Sequence, residues 1–250
     1  KYHAHILYNG YRKILLRTDK STFAFLFNLK SLLIGSSARL SWSGESFIVT
    51  DKQLPDFKYK VRHQQQCNYA YEFGAIKRAE KLAKFYFLNE IEFSDNDILL
   101  DCGANVGDLK IWFELHNKNI NYIGFEPSPI EFKCLKYNVS PSEVHEVGLW
   151  NQAGELEFFQ SHNESEQATP EKYDWISDED YSLMKLGNSG SSSLKKGYSK
   201  TLSESIKVRS ARYDWWAKDN NIGMVDLAWI DVQGAERDVL DGMGDKIKNI

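Results

Sequence analysis

The sequence predicts an α/β protein built on a doubly wound, mostly parallel sheet with helices on both faces. Ile98-Leu99-Leu100 is a short, wholly apolar run, typical of a parallel strand that is covered on both sides. From residue 98 onward, strand-like and helix-like segments alternate, which indicates parallel strands joined by helices. Ligands of such sheets bind beyond the carboxyl ends of the strands, so the residues after each strand are the candidate site.

The elements are predicted in a definite order. An N-terminal extension, 1–64, is predicted to contain a helix and a β-hairpin. The hairpin lies over 38–50, where apolar and polar residues alternate on both sides of Ser-Gly. A helix over 71–90 opens the main domain, 65–250, which contains an insert at 160–206. The strands of that domain are 98–101, Tyr122 to Phe125, Val144 to Leu149 and Asp226 to Ile230, with helices at about 107–117, about 129–138 and through Glu236.

Composition excludes several classes of protein. With 42% hydrophobic and 14% aromatic residues over 250 positions, the chain is globular and long enough to bury a core without a disulfide or metal staple. Its net charge of −4 lacks the basic excess that binding a phosphate backbone requires, so no nucleic-acid partner is predicted.

Cysteine usage and hydropathy bear on the compartment. Three widely spaced cysteines without a CxxC pair argue against a secreted disulfide scaffold and a structural zinc site, and favour a reducing, cytoplasmic setting. The most apolar stretch, Phe23 to Ile34, is interrupted by Asn28 and Lys30 and is too short to span a bilayer, so no transmembrane segment is predicted.

Charge is distributed unevenly. Residues 1–40 hold seven Lys or Arg against Asp19 alone, and residues 161–182 hold seven acids against Lys172. The basic end is either a solvated helical face or a contact with a membrane surface or partner. The acidic run is either a flexible loop or a substrate lid.

Two glycines follow the first strand of the main domain. Gly103 allows a sharp turn and leaves room for a ligand against bare backbone, and Gly107 opens a helix whose positive end favours an anionic group. The spacing is GxxxG rather than the GxGxxG of dinucleotide-binding dehydrogenases. The segment is either a ligand-binding turn or only a turn.

Acidic residues follow two further strands. Glu126 lies one strand–helix–strand unit after Asp101, where a carboxylate can bind the hydroxyls of a ribose; alternatively it caps the helix started by Pro127 and Pro129. Asp231 ends the strand at 226–230, facing the same crevice. Glu236 lies in the first turn of the next helix, where the dipole stabilises a carboxylate, so it has either a helix-start or a functional role.

These segments together resemble the FkbM family of methyltransferases, within the class I S-adenosylmethionine-dependent group. The matching pieces are DCGANVG at 101–107, FEPSP at 125–129 and WIDVQGAE at 229–236, with a looser match of GNSGSSSL at 187–194 to the family's Gly/Ser segment. The resemblance covers roughly 65–250 and is carried by the order and spacing of the motifs.

The resemblance implies a Rossmann-like sheet, S-adenosyl-L-methionine as cofactor and O-methylation of sugars, polyketides or related small molecules. Asp101, Gly103, Asn105 and Gly107 would line the methionine end of the cofactor, and Glu126 would hold the ribose hydroxyls. The predicted cofactor site is completed by Ala104, Pro127 and Ser128, and by Trp150 and Asn151 on the adenine side. The class I fold continues for three more strands, so either this chain is a truncated stretch, which we favour, or the N-terminal hairpin covers the sheet in an unusual way.

The expected reaction is a direct displacement, in which a substrate oxygen attacks the methyl group and a nearby carboxylate accepts its proton. Asp231 is the first candidate for that base and Glu236 the second, although both acids could instead orient the cofactor or share a metal ion. No metal-ligand spacing is found among the histidines.

The acceptor class is predicted from aromatic residues. Tyr173, Trp175 and Tyr181 in the acidic insert, with Trp215 and Trp216, suit the C–H face of a sugar or glycan, or else anchor the core and loops. Two other functions stay open: a nicotinamide-dependent oxidoreductase, which the GxxxG spacing disfavours, and a non-catalytic binding module. The sequence gives no oligomeric state.

Overall fold

The computed structural model describes residues 15–160, 192–194 and 204–249, which form three β-sheets and seven α-helices. The strands are β1 (Ala38–Trp42), β2 (Phe47–Asp51), β3 (Leu54–Val61), β4 (Ile98–Cys102), β5 (Asn121–Phe125), β6 (Glu143–His145), β7 (Gly148–Leu149), β8 (Gly154–Gln160), β9 (Glu204–Ala211) and β10 (Leu227–Ile230). The α-helices are α1 (Lys20–Leu33), α2 (Gln64–Ala70), α3 (Ala75–Phe85), α4 (Asp108–Leu115), α5 (Pro129–Asn138), α6 (Tyr213–Asp219) and α7 (Glu236–Met243).

A parallel sheet in the order β10-β4-β5-β6 is the centre of the fold. Successive side chains of a strand point to opposite faces. Leu99 and Tyr122 pack into one core with α3, α4 and α5, whereas Leu100 and Ile123 pack into a second core with α6 and α7. Helices therefore cover both faces, and the predicted doubly wound α/β fold is confirmed.

The order of the strands places a crevice at one point of this sheet. From β4 the chain moves outward through β5 to β6, and it later returns to the other side of β4 with β10. The connections leaving β4 and β10 therefore diverge, and ligands of open α/β sheets bind at the carboxyl ends of the strands at such a point. The segments after Cys102 and Ile230 both lie there.

The N-terminal region forms an antiparallel sheet, β1-β2-β3. The predicted hairpin over 38–50 is confirmed as β1 and β2, and α1 begins after Asp19, whose side chain accepts the N–H groups of Ser21 and Thr22. This sheet shares one hydrophobic core with α3, α4 and α5 and does not pair with the parallel sheet. The division of the chain at residue 64 stays a prediction.

The single helix predicted over 71–90 is wrong. The chain forms α2, then α3 from Ala75, and a short 3₁₀ turn over Leu88–Glu90. Gly74 separates the helices: its φ is +99°, and a β-carbon there would lie 2.5 Å from Ser37 Oγ. Asp51 Oδ2 of β2 accepts the Ala75 N–H at 2.8 Å and so caps α3. Apolar periodicity alone does not reveal this tertiary cap.

The strand predicted from Val144 to Leu149 divides between two sheets. β6 pairs with β5, whereas β7 pairs with β9 in a third sheet of order β7-β9-β8. Strand-like periodicity carries no information about which sheet a segment joins. The antiparallel strands β8 and β9 lie on either side of most of the predicted insert at 160–206, and the acidic run at 161–182 lies outside the described residues.

Within the described part of the chain, no helix has both the length and the apolar character needed to cross a membrane.

Candidate functional site

The turn after β4 packs against the end of β10. Gly103 has a φ of +84°, and a β-carbon there would lie 2.3 Å from the Asp231 carbonyl oxygen. The N–H groups of Gly103 and Ala104 both donate to the Phe125 carbonyl at 2.9 Å. The side-chain position of Gly103 is therefore occupied by the chain itself, and the expected place of this glycine beside the cofactor stays a prediction. Its absent side chain lets two strand ends meet.

Gly107 and Asp108 start α4. Gly107 has a φ of +84°, and a β-carbon there would lie 2.4 Å from Val139 Cγ1 of α5. The Asp108 carboxylate accepts from Arg78 Nε at 2.8 Å and from the Tyr71 hydroxyl, and its side chain is buried. The anionic group favoured at this helix start is thus supplied by the chain. This ion pair could not be predicted from the sequence because its partners lie 30 positions apart.

Glu126 joins the glycine turn to the loop after β5. Its Oε2 accepts the backbone N–H of Asn105 at 2.8 Å, and its Oε1 accepts that of Ser128 at 2.8 Å. Ser128 is the residue before α5, so Glu126 holds the loop at the start of that helix. This contact is similar to the alternative role predicted for Glu126, the capping of that helix. The structure thus brings the predicted turn and the predicted acid into direct contact.

The Glu126 carboxyl group is buried, with 5% of the residue exposed. None of the ion pairs among the described residues includes it. Burial, followed by the negative charge of Glu131, raises the pKa of Glu126 to about 8, against the opposing effect of the two backbone N–H donors. A buried carboxyl without a cationic partner is costly, which makes it a candidate binding group.

Asp101 and Asp231 lie at the ends of neighbouring strands. The Tyr122 hydroxyl donates to Asp101 Oδ2 at 2.6 Å, while burial and then the charges of Asp231 and Asp108 raise the pKa of Asp101 to about 7. Asp231 accepts from the Tyr86 hydroxyl at 3.2 Å and from Gln233 Nε2 at 2.6 Å. The structure therefore brings together two of the predicted acidic residues.

Burial, followed by the nearby charge of Glu236, raises the pKa of Asp231. Tyr86 both donates to this carboxylate and packs its ring against Trp229 of β10, with ring centroids 3.7 Å apart. Glu236 Oε1 accepts the Gly234 N–H at 3.0 Å, which is its predicted helix-start role. No group of side chains suited to hold a metal ion is found in the described residues.

Trp150 and Asn151 lie against α7. A β-carbon on Gly242 would lie 2.1 Å from the Trp150 carbonyl oxygen, so this glycine permits the contact. Asn151 Nδ2 donates to Asp238 Oδ1 at 2.9 Å, and Arg212 Nη1 donates to the Asn151 carbonyl at 2.8 Å. These contacts give Trp150 and Asn151 a structural role in holding this segment on α7. Their assignment to the adenine side of the cofactor stays a prediction.

Of the aromatic candidates for the acceptor site, Trp216 packs edge-on against Phe125 with ring centroids 4.9 Å apart, as a core anchor does. Trp215 is 57% exposed. Tyr173, Trp175 and Tyr181 lie outside the described residues. From the Gly/Ser segment, Ser193 Oγ donates to the Gln233 carbonyl at 2.7 Å, so this segment reaches the loop after β10.

Pro127 and the remaining turn residues complete the predicted cofactor set. A β-carbon on Gly148 would lie 3.4 Å from Pro127 Cβ, so the start of β7 approaches the loop after β5. Asn105 has a φ of +50°, and its side-chain Oδ1 accepts from Gln66 Nε2 of α2 at 2.7 Å. Gln66 was not predicted as part of this region.

The chain is similar in sequence to known methyltransferases. The chain is 26% identical over 149 residues to 2-O-methyltransferase NoeI of Sinorhizobium fredii, covering 58% of this chain and 56% of that protein. It is 24% identical over 164 residues to Methyltransferase 1 of Beauveria bassiana, covering 62% and 61%. The chain thus spans about 60% of the length of these relatives.

Two solved structures are also similar. The FkbM methyltransferase of Methylobacillus flagellatus matches with a TM-score of 0.39 and 13% identity, over 74% of this chain and 40% of that one. TYW2 of P. horikoshii in complex with MeSAdo matches with a TM-score of 0.29 and 17% identity, over 52% and 48%. The model of the FkbM methyltransferase domain matches residues 101–250, which include the segments after β4, β5 and β10. This chain belongs to the FkbM methyltransferase family.

Proposed function

We propose that this protein transfers a methyl group from S-adenosyl-L-methionine to a hydroxyl of a sugar, a glycan or a related small molecule. The observation that carries the proposal is Glu126, a buried carboxyl group that both the glycine turn and the loop after β5 bind through backbone N–H groups. Family membership supports methyl transfer, and the name of the Sinorhizobium relative supports oxygen as the acceptor atom.

The residues present fit an adenosyl group. A carboxylate has about four lone-pair positions, and the described structure uses two of those on Glu126. The remaining positions are suited to accept the two hydroxyl protons of a ribose. Asp101, Gly103, Ala104, Asn105 and Gly107 would form the wall on the methionine side, with Pro127 and Ser128 beside the ribose and Trp150 and Asn151 towards the adenine. When bound, S-adenosylmethionine supplies the methyl group as an electrophile on a positively charged sulfur.

Asp231 is proposed as the general base that accepts the proton of the acceptor hydroxyl. A base is most effective when its pKa lies near the working pH, and burial shifts the pKa of this carboxyl upward. Tyr86 and Gln233 each donate to one of its oxygens and so fix its orientation. Glu236 is proposed in second place, because its Oε1 already accepts a backbone N–H.

The proposed acceptor has an apolar face beside its hydroxyl groups. The exposed ring of Trp215 and the carboxylates at the strand ends suit a sugar, whose C–H face packs on aromatic rings while its hydroxyls form hydrogen bonds. The cytoplasm is proposed as the location, from the reduced state expected of three separate cysteines, which are buried and unpaired.

Calorimetric titration with S-adenosylhomocysteine and, separately, with NAD tests the cofactor. We expect saturable binding of S-adenosylhomocysteine and none of NAD, because the turn lacks the GxGxxG spacing. A panel of sugars, glycans, peptides and oligonucleotides incubated with methyl-labelled cofactor then tests the acceptor. Binding of NAD alone would favour the oxidoreductase, binding of neither would favour a non-catalytic module, and label found only in peptide or nucleic acid would overturn the acceptor class.

A further inference from the structure

The beginning of α2 contacts the candidate cofactor site from outside the residues that the family match covers. Gln66 Nε2 donates to Asn105 Oδ1 at 2.7 Å, and His63 Nε2 lies 2.8 Å from Glu131 Oε1. Residues 63 and 66 precede the matched range, 101–250. Gln66 thus contacts the turn after β4, and His63 contacts the first turn of α5, next to the loop that binds Glu126.

The first connection runs through Asn105. This residue has a φ of +50°, a left-handed conformation that asparagine adopts more readily than most residues. Its side chain accepts from Gln66, which is 7% exposed, and its backbone N–H donates to Glu126 Oε2. By holding the Asn105 side chain, Gln66 fixes the peptide group that binds Glu126.

The second connection runs through α5. Glu131 accepts from His63 and, through its other oxygen, from the Ser128 hydroxyl, while the Ser128 N–H donates to Glu126 Oε1. Burial alone would raise the pKa of Glu131, but the His63 hydrogen bond and charge, with the Ser128 hydroxyl, lower it. Glu131 therefore stays a carboxylate that accepts from both partners, and the Ser128 loop is held from two sides.

We propose that Gln66 and His63 are positioning residues of the cofactor site. The two connections end on the two different oxygens of one carboxyl group, so together they set its rotation and the direction of its remaining lone pairs. This inference rests on the proposed function, in which Glu126 binds the ribose. The competing explanation is that both bonds only hold α2 on the core.

Variants of two adjacent glutamines, Gln65 and Gln66, distinguish between these two explanations. Gln65 and Gln66 are equally buried, at 7% exposed, yet Gln65 makes no side-chain hydrogen bond among the described residues. Gln66→Met keeps the length of the side chain and removes its donor, and Gln65→Met is the matched control. We expect the dissociation constant of S-adenosylhomocysteine to rise roughly tenfold in Gln66→Met, the effect of about one hydrogen bond, and less than twofold in Gln65→Met.

A second readout needs no ligand. Amide hydrogen exchange of Asn105 reports the N–H that donates to Glu126, and it should accelerate in Gln66→Met but not in Gln65→Met. For His63, the glutamine variant retains an N–H for Glu131 and the leucine variant does not. We expect His63→Leu to weaken binding roughly tenfold and His63→Gln to restore it to within about threefold of the unaltered chain.

The outcomes distinguish this inference from the function on which it rests. Failure of the unaltered chain to bind S-adenosylhomocysteine contradicts the proposed function and the inference together. If the unaltered chain binds and Glu126→Gln weakens binding, but Gln66→Met and His63→Leu bind normally, only the inference is wrong. Equal weakening in the two glutamine variants, or equal weakening in the two His63 variants, identifies a packing effect and also overturns it.

Discussion

Replacing Asp231 with Asn should reduce methyl transfer by roughly 10²- to 10⁴-fold, the usual contribution of a general base, while the dissociation constant of S-adenosylhomocysteine changes less than about threefold. Asparagine has the shape of aspartate, and its amide oxygen still accepts from Gln233, so the loop after β10 should keep its conformation. The amide cannot take up the proton of the acceptor hydroxyl. The measurement is the rate of labelled methyl transfer at saturating concentrations of both substrates.

Glu236→Gln serves as the comparison for that variant. Its amide oxygen can still accept the Gly234 N–H, so a helix-start role predicts a nearly normal rate. Near-normal turnover of Asp231→Asn, combined with a large loss in Glu236→Gln, would exchange the roles assigned to the two residues. Thermal unfolding of both variants checks that their folds are intact.

Glu126→Gln should weaken the binding of S-adenosylhomocysteine by roughly 10- to 100-fold, because hydrogen bonds to a charged group are worth about 1.5–3 kcal/mol each. An amide has one acceptor oxygen where the carboxylate has two, and its NH₂ group would face one of the two backbone N–H donors. Calorimetry at a pH of about 9, where the carboxyl of the unaltered chain is ionised, gives the largest contrast.

The pH dependence of the unaltered chain provides a second test of Glu126. Burial and the Glu131 charge place the pKa of Glu126 at about 8 without ligand, and the ionised form is the better acceptor for two ribose hydroxyls. Affinity should therefore increase as the pH rises from about 7 to 9, as the carboxyl loses its proton. Because the amide of the Glu126→Gln variant has no proton to lose in this range, that variant should lack this component of the pH dependence. The same pH profile in both proteins would contradict the assignment.

The strand ends could be predicted from the sequence because their signals are local. An apolar run precedes Asp101, Glu126 and Asp231, and in a parallel sheet such runs end at the same edge. The structure places Asn105 against Glu126 and Asp101 beside Asp231, as that argument requires. The helix over 129–138 was predicted with its observed bounds, since Pro129 marks its first turn.

Features that depend on long-range contacts could not be predicted. Strand β3, over Leu54–Val61, contains a proline and three charged residues, and its place is fixed by pairing with β2 and by Asn138, which bonds the backbone of Lys60. Gln66 and His63 bond partners 39 and 68 positions away. Gly103 was recognised as a turn residue, but only the structure shows that the Asp231 carbonyl takes the place of its side chain.

A crystal structure of this chain with S-adenosylhomocysteine is the decisive test of the role proposed for Glu126. We expect both ribose hydroxyls to lie within hydrogen-bonding distance of Glu126, with the methionine portion along the turn from Gly103 to Gly107. A ligand bound elsewhere, or one whose ribose makes no contact with Glu126, would contradict the assignment of this carboxyl group and the mechanism built on it.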